Sequence, residues 1–147
     1  MPVFTISPAD EEKERRLSLW GSIKNLGSDD VSAASLRDLG IYGGAQGIWV
    51  HKARTGPIAG NGSGVTVSLL HTGRHYPDDV SEDGLIYHYP STSRPPSRDA
   101  AEVEATKNAA RLALPIFVIL PGRTDRTRRV RLGWIEDWDD EAALFLV

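Results

Sequence analysis

The chain has 147 residues, 40% of them hydrophobic, and a formal charge of -3, which fits one domain able to bury roughly two thirds of the surface its unfolded form exposes. It has no cysteine, which excludes disulfides and thiolate metal sites, and no apolar stretch long enough for a membrane span or the core of a signal peptide. The expectation is a cytoplasmic domain with no membrane partner and no cofactor. Net negative charge argues mildly against nucleic acid, yet the charges are segregated. Arg123, Arg126, Arg128, Arg129 and Arg131 fall in one run, while acids gather at 10–14 and 136–141. That separation permits one basic face, and it is equally compatible with a solvated Arg-rich hairpin.

In chain order, Ser7-Pro8-Ala9-Asp10 predicts a helix start, with Ser7 as N-cap, Pro8 at the first helical position and Asp10 returning the capping contact. Leu17, Trp20 and Ile23 mark its buried stripe, and Gly27 its stop. Asp30 is placed to cap a second short helix through Leu36 and Leu39, closed by Gly40. The run 40–47 (GIYGGAQG) is glycine-rich and reads as a loop built for tight turns or close approach. Strands are expected at 48–51, 65–70, 85–89, 116–120, 130–135 and 143–147, where apolar or β-branched residues are bounded by Gly, Pro or Asp. Asp99 and Glu102 predict one later helix, with Val103, Ala110 and Leu114 along one face and Pro115 as its end. Short strands with helices outside them and no βαβ alternation predict an α+β domain on a curved, mixed or partly closed sheet. The stretch 91–98 (STSRPPSR) reads as an exposed loop, and the apolar end ALFLV suggests that the chain was cut from a longer protein.

The segment 71–90 concentrates His71, His75, Tyr76, Tyr87, His88 and Tyr89 around Asp78, Asp79 and Gly84. Polar aromatics beside a carboxylate offer a flipped base faces to stack on and an acceptor for its exocyclic amine; the same alternation also suits a hairpin with half-buried tyrosines. His71 and His75 have the spacing of a helical zinc site, but Gly73 lies between them and no Glu follows His71, so no metal is expected. Asp78 with Glu104 and Lys107 does not have the spacing of a nuclease site. The glycine-rich 60–64 completes neither a phosphate loop nor a serine elbow and reads as a turn, and no catalytic group is assigned.

An ordered series of these motifs resembles the SET- and RING-associated (SRA) family of the PUA-like superfamily, which binds methylated cytosine by base flipping. Gly40-Ile41-Tyr42 through Gly47-Ile48 is similar to the family's loop ending in Ala-Gly-Ile, and Val65–Leu70 to its strand before a Gly-Gly-Tyr turn. Tyr76-Pro77-Asp78-Asp79-Val80, Gly84 and Tyr87-His88-Tyr89 resemble its core motif; 106–114 resembles its helix, and Gly133-Trp134 with 145–147 its closing strands. The likeness covers roughly 40–147, leaving 1–39 as a helical N-terminal segment of the same domain. The loop Ile-Tyr-Gly-Gly-Ala-Gln-Gly also resembles the amino-terminal domains of actinobacterial HNH-type, modification-dependent restriction endonucleases.

The resemblance implies a reader of double-stranded DNA containing 5-methylcytosine, with cleavage left to a C-terminal HNH nuclease domain. Tyr76 and Tyr89 would sandwich the base and Asp79 would accept from its amino group, with His71, Thr72 and Gly73 at the pocket. One extra residue between Tyr76 and Tyr89 leaves Tyr87 as an alternative stacking partner. Tyr42, Gly43, Gly44, Ala45 and Gln46 would enter or brace the duplex. Lys52, Arg54, Arg74, His75, Arg94, Arg98, Arg123, Arg126, Arg128 and Arg129 would contact DNA, mainly through phosphate. A PUA-like RNA-binding module, an enzyme acting on a nucleotide and a protein-interaction domain are the competing readings.

Overall fold

A computed structural model describes residues 7–42, 47–60, 62–71, 81, 84–90 and 95–147. The first helix, α1 (Pro8–Leu26), starts where the local chemistry directs: the Ser7 hydroxyl accepts from Asp10 N–H at 3.1 Å, Pro8 stands at its beginning, and Gly27 ends it at φ +95°. Its buried face departs from the expected stripe. Ile23 is buried and Trp20 partly so, but Leu17 is 41% exposed, and Glu12 and Arg16 turn inward instead. Arg16 can be buried because two of its three side-chain nitrogens find partners, Nη2 alone having none among the described residues. Its Nε donates to Glu12 at 2.7 Å, and its Nη1 donates to the carbonyl oxygens of Thr66 and Pro115, both at 2.8 Å. An intrahelical ion pair thus holds α1 to the sheet, which apolar periodicity does not reveal.

Asp30 does not cap the second helix. The backbone at Val31 is committed to a short strand, β1 (Val31–Ser32), paired with Arg128, so the cap moves on to Ser32, whose Oγ accepts from Ser35 N–H at 3.0 Å. The helix α2 (Ala33–Asp38) follows, and Gly40 closes it at φ +73°. The six expected strands form as β2 (Ile48–Val50), β3 (Thr66–Leu70), β4 (Ile86–His88), β5 (Ile116–Pro121), β6 (Thr127–Gly133) and, last, β8 (Leu144–Leu146). A one-turn helix, α3 (Lys52–Thr55), and the strand β7 (Asp137–Asp139) were not expected. The later helix, α4 (Pro96–Arg111), begins three residues before Asp99, with Pro96 in its first turn and no side-chain cap. Its fully buried positions are Ala105, Thr106, Asn108 and Ala109, while Val103 and Ala110 lie at the margin. Ala113 turns left-handed at φ 52°, ending the helix ahead of Pro115.

The architecture is α+β. The main sheet has the order β1-β6-β5-β3-β2 and is mixed, because β3 and β5 run parallel while every other neighbouring pair is antiparallel. Among the described residues it is open, with β1 and β2 at its edges; a second sheet, β4-β8-β7, stands beside it. Ile23, Leu36, Ile41 and Tyr42 pack with Phe117, Ile119 and Val130 as one core, joining α1 and α2 to the sheet. Ala109, Leu114, Ile116 and Phe145 form another, joining α4 and the small sheet. Alternation along β5 sends Phe117 and Ile119 into the first core, and Ile116 into the second with Val118 and Leu120 in a small cluster beside Leu85, as expected of a strand buried on both faces.

Candidate nucleic-acid interface

Strand direction decides which loops share an end of the molecule. In the parallel pair β3/β5, Leu70 lies opposite Ile119, and His71 N–H donates to Ile119 O at 2.9 Å. β2 is antiparallel to β3 with Ile48 opposite Leu69, so the chain enters β2 where it leaves β3, and Leu70 N–H donates to Gly47 O at 2.6 Å. The β5–β6 hairpin turns at 122–126, just beyond the Pro121–Arg128 pair, at that same end. Three chain passages therefore meet there: the approach to Gly47, the exit from His71 and the arginine hairpin.

The tyrosines of β4 separate around this end. The Tyr87 hydroxyl donates to Leu70 O at 3.4 Å and fills the space beside Gly47, where a Cβ would overlap it. Burial first, and then the charge of Glu102, raise its phenol above the ordinary value. Tyr89 is held elsewhere: its ring lies 4.6 Å from that of Phe145 and its hydroxyl donates to Asp140 at 2.8 Å. Partial burial, then that hydrogen bond and the charges of Asp140 and Asp139, raise the Tyr89 phenol too. Lys107 completes the group 2.9 Å from Asp140, and its hydrogen bond, followed by that of Tyr89, holds the Asp140 carboxyl below its ordinary value. Of the two candidate stacking residues, Tyr87 borders Gly47 and the end of β3, and Tyr89 is tied to the Asp140–Lys107 pair.

The basic candidates also divide. Arg123 and Arg126 are exposed on the hairpin and in no ion pair among the described residues. Arg128 is braced by donating to the carbonyls of Asp125 and Thr127, and Arg129 by donating to Pro121 O. The hairpin is anchored through Ala33 N–H to Arg126 O at 2.9 Å, which brings α2 alongside. Arg37 of α2 lies over the Tyr42 ring at 5.4 Å. Arg37 was not singled out from the sequence, because nothing in its surroundings there marks it as basic surface. Arg131, by contrast, is paired with Asp29.

Lys52 and Arg54 lie on α3, beyond the far end of β2 and therefore opposite the arginine hairpin. Arg98 is exposed in the first turn of α4. The last turns of that helix sit at the strand starts, where Asn108 donates to Gly64 O and Thr106 meets Thr66, while Glu102 is within electrostatic reach of the Tyr87 hydroxyl. The first turn thus points toward the hairpin end. Tyr42 is not a surface contact: it is 6% exposed and packed in the core with Ile23 and Leu36, because its ring completes the apolar face of α2. His71 is buried just past the end of β3. Gly43, Gly44, Ala45, Gln46, Thr72, Gly73, Arg74, His75, Tyr76, Asp79 and Arg94 lie outside the described residues.

Among the described residues no group of His, Asp and Glu is placed to hold a metal ion, and no helix is long and apolar enough to cross a membrane. Comparisons with protein-family models, curated proteins and solved structures gave no match.

Proposed function

We propose that the domain reads 5-methylcytosine in double-stranded DNA by flipping the base into a pocket built on the segment between β3 and β4, and so directs a separate HNH nuclease domain to modified DNA. The observation that carries this reading is topological. The segment bearing Tyr76 and Asp79 leaves from His71, the segment bearing Gly43 to Gln46 arrives at Gly47, and the free arginines turn at 122–126, all at one end of the sheet. A base reader needs this combination: phosphate contacts for register beside loops that can enter the duplex and hold an extruded base.

Flipping costs a few kcal/mol, and stacking on an aromatic side chain returns about 1 to 3 kcal/mol per base. Tyr76 supplies the stacking face, and Tyr87, better placed than Tyr89, closes the inner wall. Gln46 fills the vacated position in the duplex. Asp79 accepts from the cytosine amine and faces the O4 acceptor of thymine, separating two bases that both carry a 5-methyl group. The methyl itself contributes about 0.8 kcal/mol of burial, so selectivity over unmodified cytosine is modest. An SRA-like, partly closed form of the sheet accompanies this reading.

A duplex with 2-aminopurine next to the methylated cytosine tests it. Extrusion removes a stacking neighbour of the probe, so its fluorescence rises on titration with the domain and does not rise with Tyr76→Ala. An unchanged signal at saturation contradicts base flipping.

A further inference from the structure

The small sheet carries a second surface, remote in chemistry from the arginine hairpin. Its strand β8 buries Phe145 toward the core, so its neighbours Leu144 and Leu146 face outward, and Leu146 is 45% exposed. Register extends these two positions into cross-strand rows. Leu146 lies between Ile86 and Asp137, and Leu144 between His88 and Asp139. The result is an open groove of about 420 Å³ with Ile86, Leu144 and Leu146 at its base and Asp137, Asp139 and Asp140 along one wall.

The wall is strongly acidic. Glu136, Asp137, Asp139, Asp140 and Glu141 are all exposed, and Lys107 pairs with only one of them, Asp140. Asp137 also occupies the backbone N–H of Trp138 at 2.8 Å, which blunts the edge of β7 against strand addition. A ligand is therefore received over the face and not along the edge. An apolar floor beside unneutralised carboxylates selects a segment with apolar side chains on one side and ammonium or guanidinium groups on the other.

We infer that the outer face of the β4-β8-β7 sheet docks a basic, amphipathic polypeptide segment of a partner protein, with its apolar side chains on Ile86, Leu144 and Leu146 and its cations against Asp137 and Asp139. Phosphate-rich ligands are repelled from this face, so docking and the proposed DNA contact use different ends of the charge distribution. The inference does not rest on the methylcytosine reading.

The test is fluorescence anisotropy with the whole domain and a labelled heptapeptide alternating lysine and leucine, beside a counterpart with serine in place of leucine. Saturable binding of the leucine peptide is expected, weakened about tenfold or more by Leu146→Ser and by the pair Asp137→Asn with Asp139→Asn. These variants keep the fold: Leu146 is exposed, and asparagine can still accept the backbone hydrogen bonds that Asp137 and Asp139 accept now. Their circular dichroism and melting curves check this. Absent binding, equal binding of the serine peptide or indifference to both variants would overturn the proposal. So would sedimentation showing wild-type self-association abolished by Leu146→Ser, which would assign the face to a second copy of the chain.

Discussion

The Tyr87 hydroxyl takes the place that a side chain at Gly47 would need: it lies 3.4 Å from Leu70 O, and a Cβ built on Gly47 would overlap it. Gly47, at the entry to β2, is thereby held against the small sheet by one phenol, and the glycine is required by close approach. Gly47→Ala is expected to destabilise the domain by about 1 to 3 kcal/mol through overpacking. Removing the hydroxyl in Gly47→Ala with Tyr87→Phe should restore much of that loss. Denaturant unfolding of both single variants and the double variant measures the coupling, and strictly additive losses would contradict the contact.

Arg16 and Glu12 form a buried pair whose loss leaves a charge without compensation. Glu12→Ala is expected to cost about 3 to 5 kcal/mol, because Arg16 stays in the interior without its carboxylate. Chemical denaturation at neutral pH measures this, and a loss below 1 kcal/mol would contradict the buried pair.

The same pair gives a pH dependence. Burial alone would push the Glu12 carboxyl up, but hydrogen bonds and charge from Arg15 and Arg16 outweigh it and hold the group below its ordinary value of 4.5. The unfolded chain therefore takes up this proton more readily than the folded one. The stabilisation is fully present above the ordinary carboxylate range and is lost as pH falls through the lower, folded value. Melting temperature is expected to fall as the medium is acidified through this window, with a shallower fall in Glu12→Gln, which has no proton to take up there. Identical acid profiles for the two proteins would contradict the assignment.

How far this was legible in the sequence depends on what each feature rests on. Ser7 and Pro8 declare the start of α1 through capping chemistry that needs no partner, and the apolar run of β5 declares a strand. Arg16 gives no such signal, since its burial is decided by two carbonyls about 50 and 99 positions further along the chain. β7 hides in an acidic run that reads as solvated, because only pairing with β8 makes Asp137 to Asp139 a strand. The basic candidates could be named from the sequence, but how the fold arranges them could not. Lys52 and Arg54 looked equivalent to Arg123 and Arg126 until the parallel pairing of β3 with β5 put the two pairs at opposite ends.

That division sets a test for the basic end. Each phosphate neutralised adds about 0.9 to the slope of log affinity against log salt. Arg123→Gln with Arg126→Gln should lower the slope by roughly twice that amount if both arginines contact phosphate. Lys52→Gln with Arg54→Gln should leave it unchanged. Equal effects of the two pairs would mean that the sheet end does not define the DNA face.

The central claim is that a flipped methylcytosine is held by Asp79 at this end of the sheet. It is tested most directly by titrating the domain, at one fixed and moderate salt concentration, with duplexes identical except for a single 5-methylcytosine, alongside Asp79→Ala. Tighter binding of the methylated duplex is expected, from about fourfold for the roughly 0.8 kcal/mol of methyl burial up to about a hundredfold, since a shaped pocket discriminates one methyl by roughly 1 to 3 kcal/mol at most. That preference should vanish in a folded Asp79→Ala protein. Equal affinity of the wild type for the two duplexes, or no binding to either, would contradict the account.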